Sequence, residues 1–287
     1  FILNWNGQEP LGVEVTEIYG HHTDAKLKNI EGYGLGILTG TTRIHRRDRE
    51  IISIEDVTIH DKEGNEKAKC KAIFHSSPSF KDSLAILENS ISSKEAKIAD
   101  YQRYAPHVDL IVKDSSTLFP ASTSEKFLRP FLRLCEKERY LKTQFREIYL
   151  LTKRGDAQVF YPLKANVFLS DCIAYETFLR DTRLEKCTPG DIFGALLAAI
   201  HLSGYRDVEF LSDGNETSIC YGAWQLAYSE SGKSIRDREL TRPNPEQTTS
   251  SILKDAPEEI WNHGRELVQE RSTIFAAMDL CLPVKTA

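Results

Sequence analysis

The chain reads as an α/β (or α+β) protein: a mixed sheet with flanking helices at its N-terminal end, then a C-terminal α/β region. Three observations carry this. Short runs rich in β-branched and aromatic residues, bounded by turn residues, recur in "LGVEVTEIY", "HVDLIV" and "EIYLLTKRGDAQVFYPL". Between them lie segments whose apolar residues return every three or four positions, as in a helix with one buried face. The succession strand, hairpin, long helix, strand is an α/β or α+β pattern.

The elements follow in order. "FILNW" reads as the middle of a strand, so chain is expected upstream of Phe1; it stops at Asn6-Gly7, a pair suited to a tight turn. "LGVEVTEIY" is the next strand. Residues 23 to 50 are polar and glycine-bearing, with a short helix expected through Ala25 to Ile30. "VTIH" and "KCKAIFH" form a hairpin around Asp61 to Asn65. Ser79 caps a long helix, Asp82 suits its first turn, and Phe80, Leu84, Leu87, Ile91, Ile98 and Tyr101 form its apolar stripe.

Pro106 ends that helical region and "HVDLIV" is a buried strand. "SEKFLRPFLRLCEKERYLKTQF" is helical with a break expected near Pro130. A hairpin with Arg154-Gly155-Asp156 at its tip comes next, then helices over 165–181 and 189–203. The second of these has Thr188 as cap, Pro189 in first position and Gly204 at its close. "DVEFL" and "TSICYG" are short strands around Asp213-Gly214-Asn215. The run "SGKSIRDRELTRPNPEQTTSS" has no periodicity and reads as a loop, and a last helix is expected from Glu258 to about Met278. A boundary is expected near the turn-like "SSTLFPAST", dividing residues 1–120 from a region 121–287 of open role.

At 287 residues, 40% apolar and 28% charged, the chain has the composition of an ordinary globular protein. No run approaches the roughly 18 apolar residues of a membrane helix, so no membrane association is expected. The six scattered cysteines (Cys70, Cys135, Cys172, Cys187, Cys220, Cys281) point to reduced, mostly buried thiols and a cytoplasmic home, and away from a cysteine-based zinc site. The net charge of −5 argues against indiscriminate nucleic-acid binding but leaves room for a local basic groove. Arg43, His45, Arg46, Arg47 and Arg49 are the candidates. A solvated loop, partly neutralised by Asp48 and Glu50, is the plainer reading of the same residues.

Two anomalies carry the chemistry. Side chains alternate along a strand, so Gly12, Glu14, Thr16 and Ile18 share one face of the second strand. A carboxylate buried there calls for a positive partner, and a hard divalent cation is one answer. The second anomaly is Lys94, which falls on the apolar stripe of the long helix between Ile91 and Ile98. It either snorkels to the edge or meets a carboxylate inside. Glu14, equally, either faces water on an edge strand or pairs with a buried arginine. His21-His22 beside Asp24 suggests a metal cluster at first sight. Adjacent histidines on a strand point to opposite sides, so a polar loop pair is expected instead.

The order strand, turn, strand with Glu-x-Thr, then a helix with an inward lysine and a buried strand resembles the PD-(D/E)XK (restriction-endonuclease-like) superfamily. "GVEVTEIY…AKLKNIEGY" is similar to a group of bacterial proteins with an E-[IV]-T variant of the motif. The resemblance covers about residues 1 to 113. It implies a restriction-endonuclease-like fold there and metal-dependent phosphodiester hydrolysis, with Glu14 as a ligand for Mg²⁺ or Mn²⁺. Thr16 would stand in the usual lysine position and Lys94 would be a lysine moved to the following helix. The family's first aspartate would precede Glu14 by roughly ten or more residues, and residues 1 to 13 hold none. The implied partner is nucleic acid, DNA more than RNA, with Arg43, Arg46 and Arg47 on its phosphates. The alternative is a non-catalytic descendant of that fold which binds nucleic acid, a protein partner or a second copy of itself.

Overall fold

The computed structural model describes residues 1–4, 9–46, 49, 52–119, 124–154, 157–182, 188–205, 208–212, 216–230, 232–237, 248–277 and 285–286. It is a mixed α/β fold with helices flanking the principal sheet. In the N-terminal half, β1 (Ile2–Leu3) lies antiparallel to β2 (Leu11–Ile18). Helices α1 (His22–Asn29) and α2 (Tyr33–Thr39) lead to a hairpin of β3 (Ile52–His60) and β4 (Glu66–His75). Then come α3 (Phe80–Glu95), α4 (Ile98–Gln102), β5 (His107–Asp114), α5 (Ser124–Leu134) and α6 (Lys137–Lys142). β6 (Glu147–Arg154) and β7 (Ala157–Pro162) follow. The C-terminal half holds α7 (Leu163–Thr182), α8 (Pro189–Leu202), β8 (Glu209–Ser212), β9 (Glu216–Tyr221), β10 (Trp224–Ser229) and β11 (Gly232–Asp237). It ends with α9 (Thr249–Ile252), α10 (Glu258–Ala277) and β12 (Lys285–Thr286).

The principal sheet runs β1-β2-β5-β6-β7-β12, while β11-β10-β9-β8 form a second sheet and β3-β4 stand as a separate ribbon. β2, β5 and β6 are mutually parallel, so their C-terminal ends share one edge. α3 makes the crossover from β2 to β5. Its start is set by Ser79, whose hydroxyl accepts from the Asp82 amide at 3.2 Å, and its buried face is Leu84, Leu87 and Ile91. Those residues pack with Ile18, Val108, Leu110 and Val112 from the strands beneath, the apolar stripe doing what its spacing predicts.

Val15 is exposed on the opposite face, where Glu17 pairs with Lys113 at 2.8 Å. The second strand thus has one buried face and one wet one.

Three expectations need correction. Residue 120 falls in the connection between β5 and β6, two strands of one sheet, and the first core runs from Ile18 to Val167. α7 carries the reason, because Leu163 and Val167 belong to the first core while Phe168, Leu169 and Cys172 belong to the second. A helix buried all round over residues 163–172, polar residues included, joins the two halves. Pro130 sits inside α5, and the break comes after Leu134 instead; burial of Phe127, Leu128 and Phe131 holds the turn that the proline weakens. The run after Tyr228 contains β11, paired with β10 from Trp224↔Asp237 to Ser229↔Gly232.

The helix expected at Ala25 to Ile30 is α1, three residues earlier, and α2 adds a turn of helix in the stretch read as polar loop. α8 has the predicted Thr188 capping box and Pro189 start. Its close contact with α10 requires Gly264, where a Cβ would lie 2.7 Å from that of Ala198. The turn pairs Asn6-Gly7, Gly155-Asp156 and Asp213-Gly214-Asn215 lie outside the described residues, as do Cys187 and Cys281. Cys70, Cys135, Cys172 and Cys220 form no disulfide among the described residues. Among the described residues, no helix is long and apolar enough to cross a membrane.

Candidate functional site

Glu14 and Lys94 meet. The stripe of α3 delivers Lys94 one turn beyond Ile91, and β2 presents Glu14 on the same, helix-covered face as Ile18. The Lys94 Nζ donates to Glu14 Oε1 at 2.5 Å across 80 positions of sequence. The pair is neither sealed nor free: the side chains keep 24% and 22% exposure for Glu14 and Lys94. Tyr101 of α4 completes the group with a hydrogen bond from its phenol to Glu14. Its pKa is raised, first by burial and then by the Glu14 charge. Thr16, half-buried on the same face of β2, stands opposite Val112 of β5.

This arrangement answers the buried carboxylate with an ammonium. Its fit to a divalent ion is limited, since no group of three His, Cys, Asp or Glu side chains gathers around Glu14 among the described residues. A single carboxylate with one oxygen held by lysine is one ligand and not a site. Of the basic loop, Arg43 and Arg46 are exposed, and Arg47 lies outside the described residues.

A second constellation lies at the C-terminal edge of the parallel strands, where α/β sheets place their ligands. The chain leaves β2 through Gly20 and His21, and the His21 ring caps α1 by accepting from the Asp24 amide at 3.3 Å. Asp24, on the first turn of α1, turns its carboxylate back: Oδ1 lies 3.2 Å from His21 Nε2 and 3.8 Å from His75 Nε2. His75 arrives from the end of β4, its ring edge-on to that of His21 at 5.2 Å between centroids. Gly20 allows the approach, because a Cβ there would lie 3.2 Å from both Asp24 Oδ2 and Leu118 Cδ2. Leu118 belongs to the turn after β5, in which Thr117 takes a positive φ of 56° and Asp114 accepts the amides of Ser116, Leu118 and Phe119.

The expectation for the adjacent histidines is corrected in this light. His21 and His22 do diverge, His22 facing the ring of His45 at 5.5 Å. His21 does lie in the connection between β2 and α1, as expected of a loop residue, but it has a companion in His75, from a strand 54 positions later. A sequence signal existed in the His-x-x-Asp spacing, which one helical turn closes into contact; nothing local pointed to His75.

Comparison with protein-family models, with curated proteins and with solved structures gave no match to this chain.

Proposed function

We propose that the chain hydrolyses nucleic-acid phosphodiesters, DNA more than RNA, with Glu14 and Lys94 as its catalytic pair and Thr16 beside them on the strand. The observation that supports this reading is the contact itself, an acid from the sheet and an amine from the next helix brought together across 80 positions. An ammonium has three N–H groups; Glu14 takes one and holds the lysine in place, leaving two for a non-bridging phosphoryl oxygen. Water adds to phosphorus and gives up a proton to solvent as the ester P–O bond breaks, the leaving oxygen takes one from solvent, and Lys94 stabilises the charge that gathers on the phosphoryl oxygens. Tyr101 keeps Glu14 oriented through its hydrogen bond. Mg²⁺ or Mn²⁺, the cofactor this reading implies, would find in Glu14 a single ligand, and its other ligands would have to come from outside the residues around Glu14. Arg43, Arg46 and Arg47 would meet flanking phosphates, and the C-terminal half would serve recognition or assembly.

The test is cleavage of plasmid and single-stranded DNA with Mg²⁺ or Mn²⁺ by the wild type, Glu14→Ala and Lys94→Ala. Each substitution is expected to lower cutting by about 10²-fold or more. Metal-dependent cutting that survives both removes the assignment.

One observation favours a non-catalytic module instead: threonine stands in the motif's lysine position while the displaced lysine already neutralises Glu14. That reading predicts nucleic-acid or protein binding without cutting, nucleic-acid binding weakening as salt rises.

A further inference from the structure

We propose that His21, Asp24 and His75 form a binding site for a divalent first-row transition metal, Zn²⁺ being the probe of choice. The site stands apart from Glu14. At about 3.3 Å per residue, the four steps from Glu14 to Ile18 alone span roughly 13 Å, so one ion cannot touch both.

The geometry comes first. One ligand atom from each of the three residues falls within 4.8 Å of the others. An ion bound at about 2.0–2.2 Å from each donor holds its ligands roughly 3–3.5 Å apart. The two separations that involve Asp24, 3.2 and 3.8 Å, already lie near that range. Only the two imidazoles must draw together, and His75, the most exposed of the three, has the most room to turn.

The unmet polar atoms come second. Asp24 Oδ2 is buried and without a hydrogen-bond partner, and the buried His21 Nε2 has only the 3.2 Å approach of Asp24 Oδ1. Desolvating a carboxylate oxygen with no donor is costly, and a cation relieves it. The exposures fall in order across the site, 6% for His21, 11% for Asp24 and 36% for His75, so the group is closed behind and open in front. Leu118 and Pro78, both near Gly20, help to wall the closed side.

The donor set decides the metal. Two imidazoles and one carboxylate suit Zn²⁺, Co²⁺, Mn²⁺ or Fe²⁺, whereas Mg²⁺ and Ca²⁺ prefer oxygen alone. Three protein ligands leave a further position toward solvent, the pattern of an open site. Ligation at Nε2 places the remaining ring proton of His21 on Nδ1. The cap bond from the Asp24 amide is then given up, and α1 exchanges a weak 3.3 Å contact for a tether through the metal. The same ion would fasten the end of the β3–β4 ribbon to the sheet edge.

The experiment is equilibrium dialysis of the full chain against Zn²⁺ and, separately, Mg²⁺, with visible absorption of the Co²⁺ form as a readout of coordination. One Zn²⁺ per chain is expected, with little Mg²⁺. His75→Ala, at an exposed position, should weaken Zn²⁺ binding at least tenfold and bleach the Co²⁺ spectrum, and Asp24→Asn should do the same. His60→Ala, on the same ribbon, should leave both unchanged, as should Glu14→Ala, which separates this site from the nuclease reading. Zn²⁺ should raise the melting temperature of the wild type and not that of Asp24→Asn, a comparison made within each folded variant. Absence of stoichiometric Zn²⁺, or retention of it by both His75→Ala and Asp24→Asn, overturns the proposal. Loss in His60→Ala equal to that in His75→Ala does so as well.

Discussion

Two carboxylates inside this protein meet cations in opposite ways. Asp171 of α7 is fully buried, and its oxygens are taken by Lys137 of α6, by Arg271 of α10 at 2.5 Å and by the Tyr205 hydroxyl at 2.6 Å. Lys137 also lies over the Tyr205 ring at 5.0 Å, and burial pulls its pKa down. Glu14, by contrast, has one lysine, one phenol and a quarter of its surface in water. The Asp171 group ties three helices together with both carboxylate oxygens engaged; the Glu14 group keeps part of its surface in water. Buried charge with every partner in place reads as architecture, and the part-exposed pair is the one on which the proposed chemistry rests.

Asp171→Ala tests the first half of that contrast and has the largest expected effect. It leaves two cations, each about a quarter exposed, facing each other without the buried carboxylate they share, so urea unfolding should show a loss of about 3 kcal/mol. A loss below about 1 kcal/mol would erase the distinction. Glu147 comes next. Its carboxylate is wholly buried and accepts the amides of Ile148, Lys164 and Ala165, yet burial outweighs these donors and lifts its pKa to about 7. The folded chain therefore holds a proton that the unfolded chain has lost. Stability should fall as pH rises from about 4.5 to about 7, by up to about 3 kcal/mol, and level off above. Glu147→Gln should flatten that slope in pH-dependent denaturation.

Glu14→Ala should cost little stability, about 1 kcal/mol or less, because Lys94 can swing to water. A much larger loss would move this pair to the architectural side. The smallest effect belongs to Lys113→Ala. It removes the main partner of Glu17, whose pKa is lowered to about 2 by that hydrogen bond and then by Tyr19. Solvent screening keeps the pair to a few tenths of a kcal/mol, present above the ordinary carboxylate pKa, fading as pH falls toward 2 and weaker in high salt.

Much of the fold was legible in sequence where a signal is local. Ser79 and Thr188 announce helix starts because a cap acts within one turn, and the α3 stripe placed Lys94 inside because helical period is rigid. The shared face of Glu14 and Ile18 followed from strand alternation. What was missed depends on distant partners. Pro130 survives inside α5 because Phe127 and Phe131 are packed on both sides of it. "WQLAYS" does alternate, but its pairing with "GKSIRD" rests on a turn with no Asn-Gly signature. The boundary at 120 failed because a crossover connection looks like a linker until its two strands are seen side by side. His75 belongs with His21 only because the ribbon returns to its starting point.

That ribbon has a consequence of its own. β3 and β4 pair over nine and ten residues, with Ile54, Ile59 and Phe74 in solvent and Ile52 alone of its strands buried. A lone two-stranded hairpin is barely stable. Proteases should therefore nick the native chain there first. Trypsin has Lys62, Lys67, Lys69 and Lys71 to choose from, and the six-stranded sheet should outlast the cut.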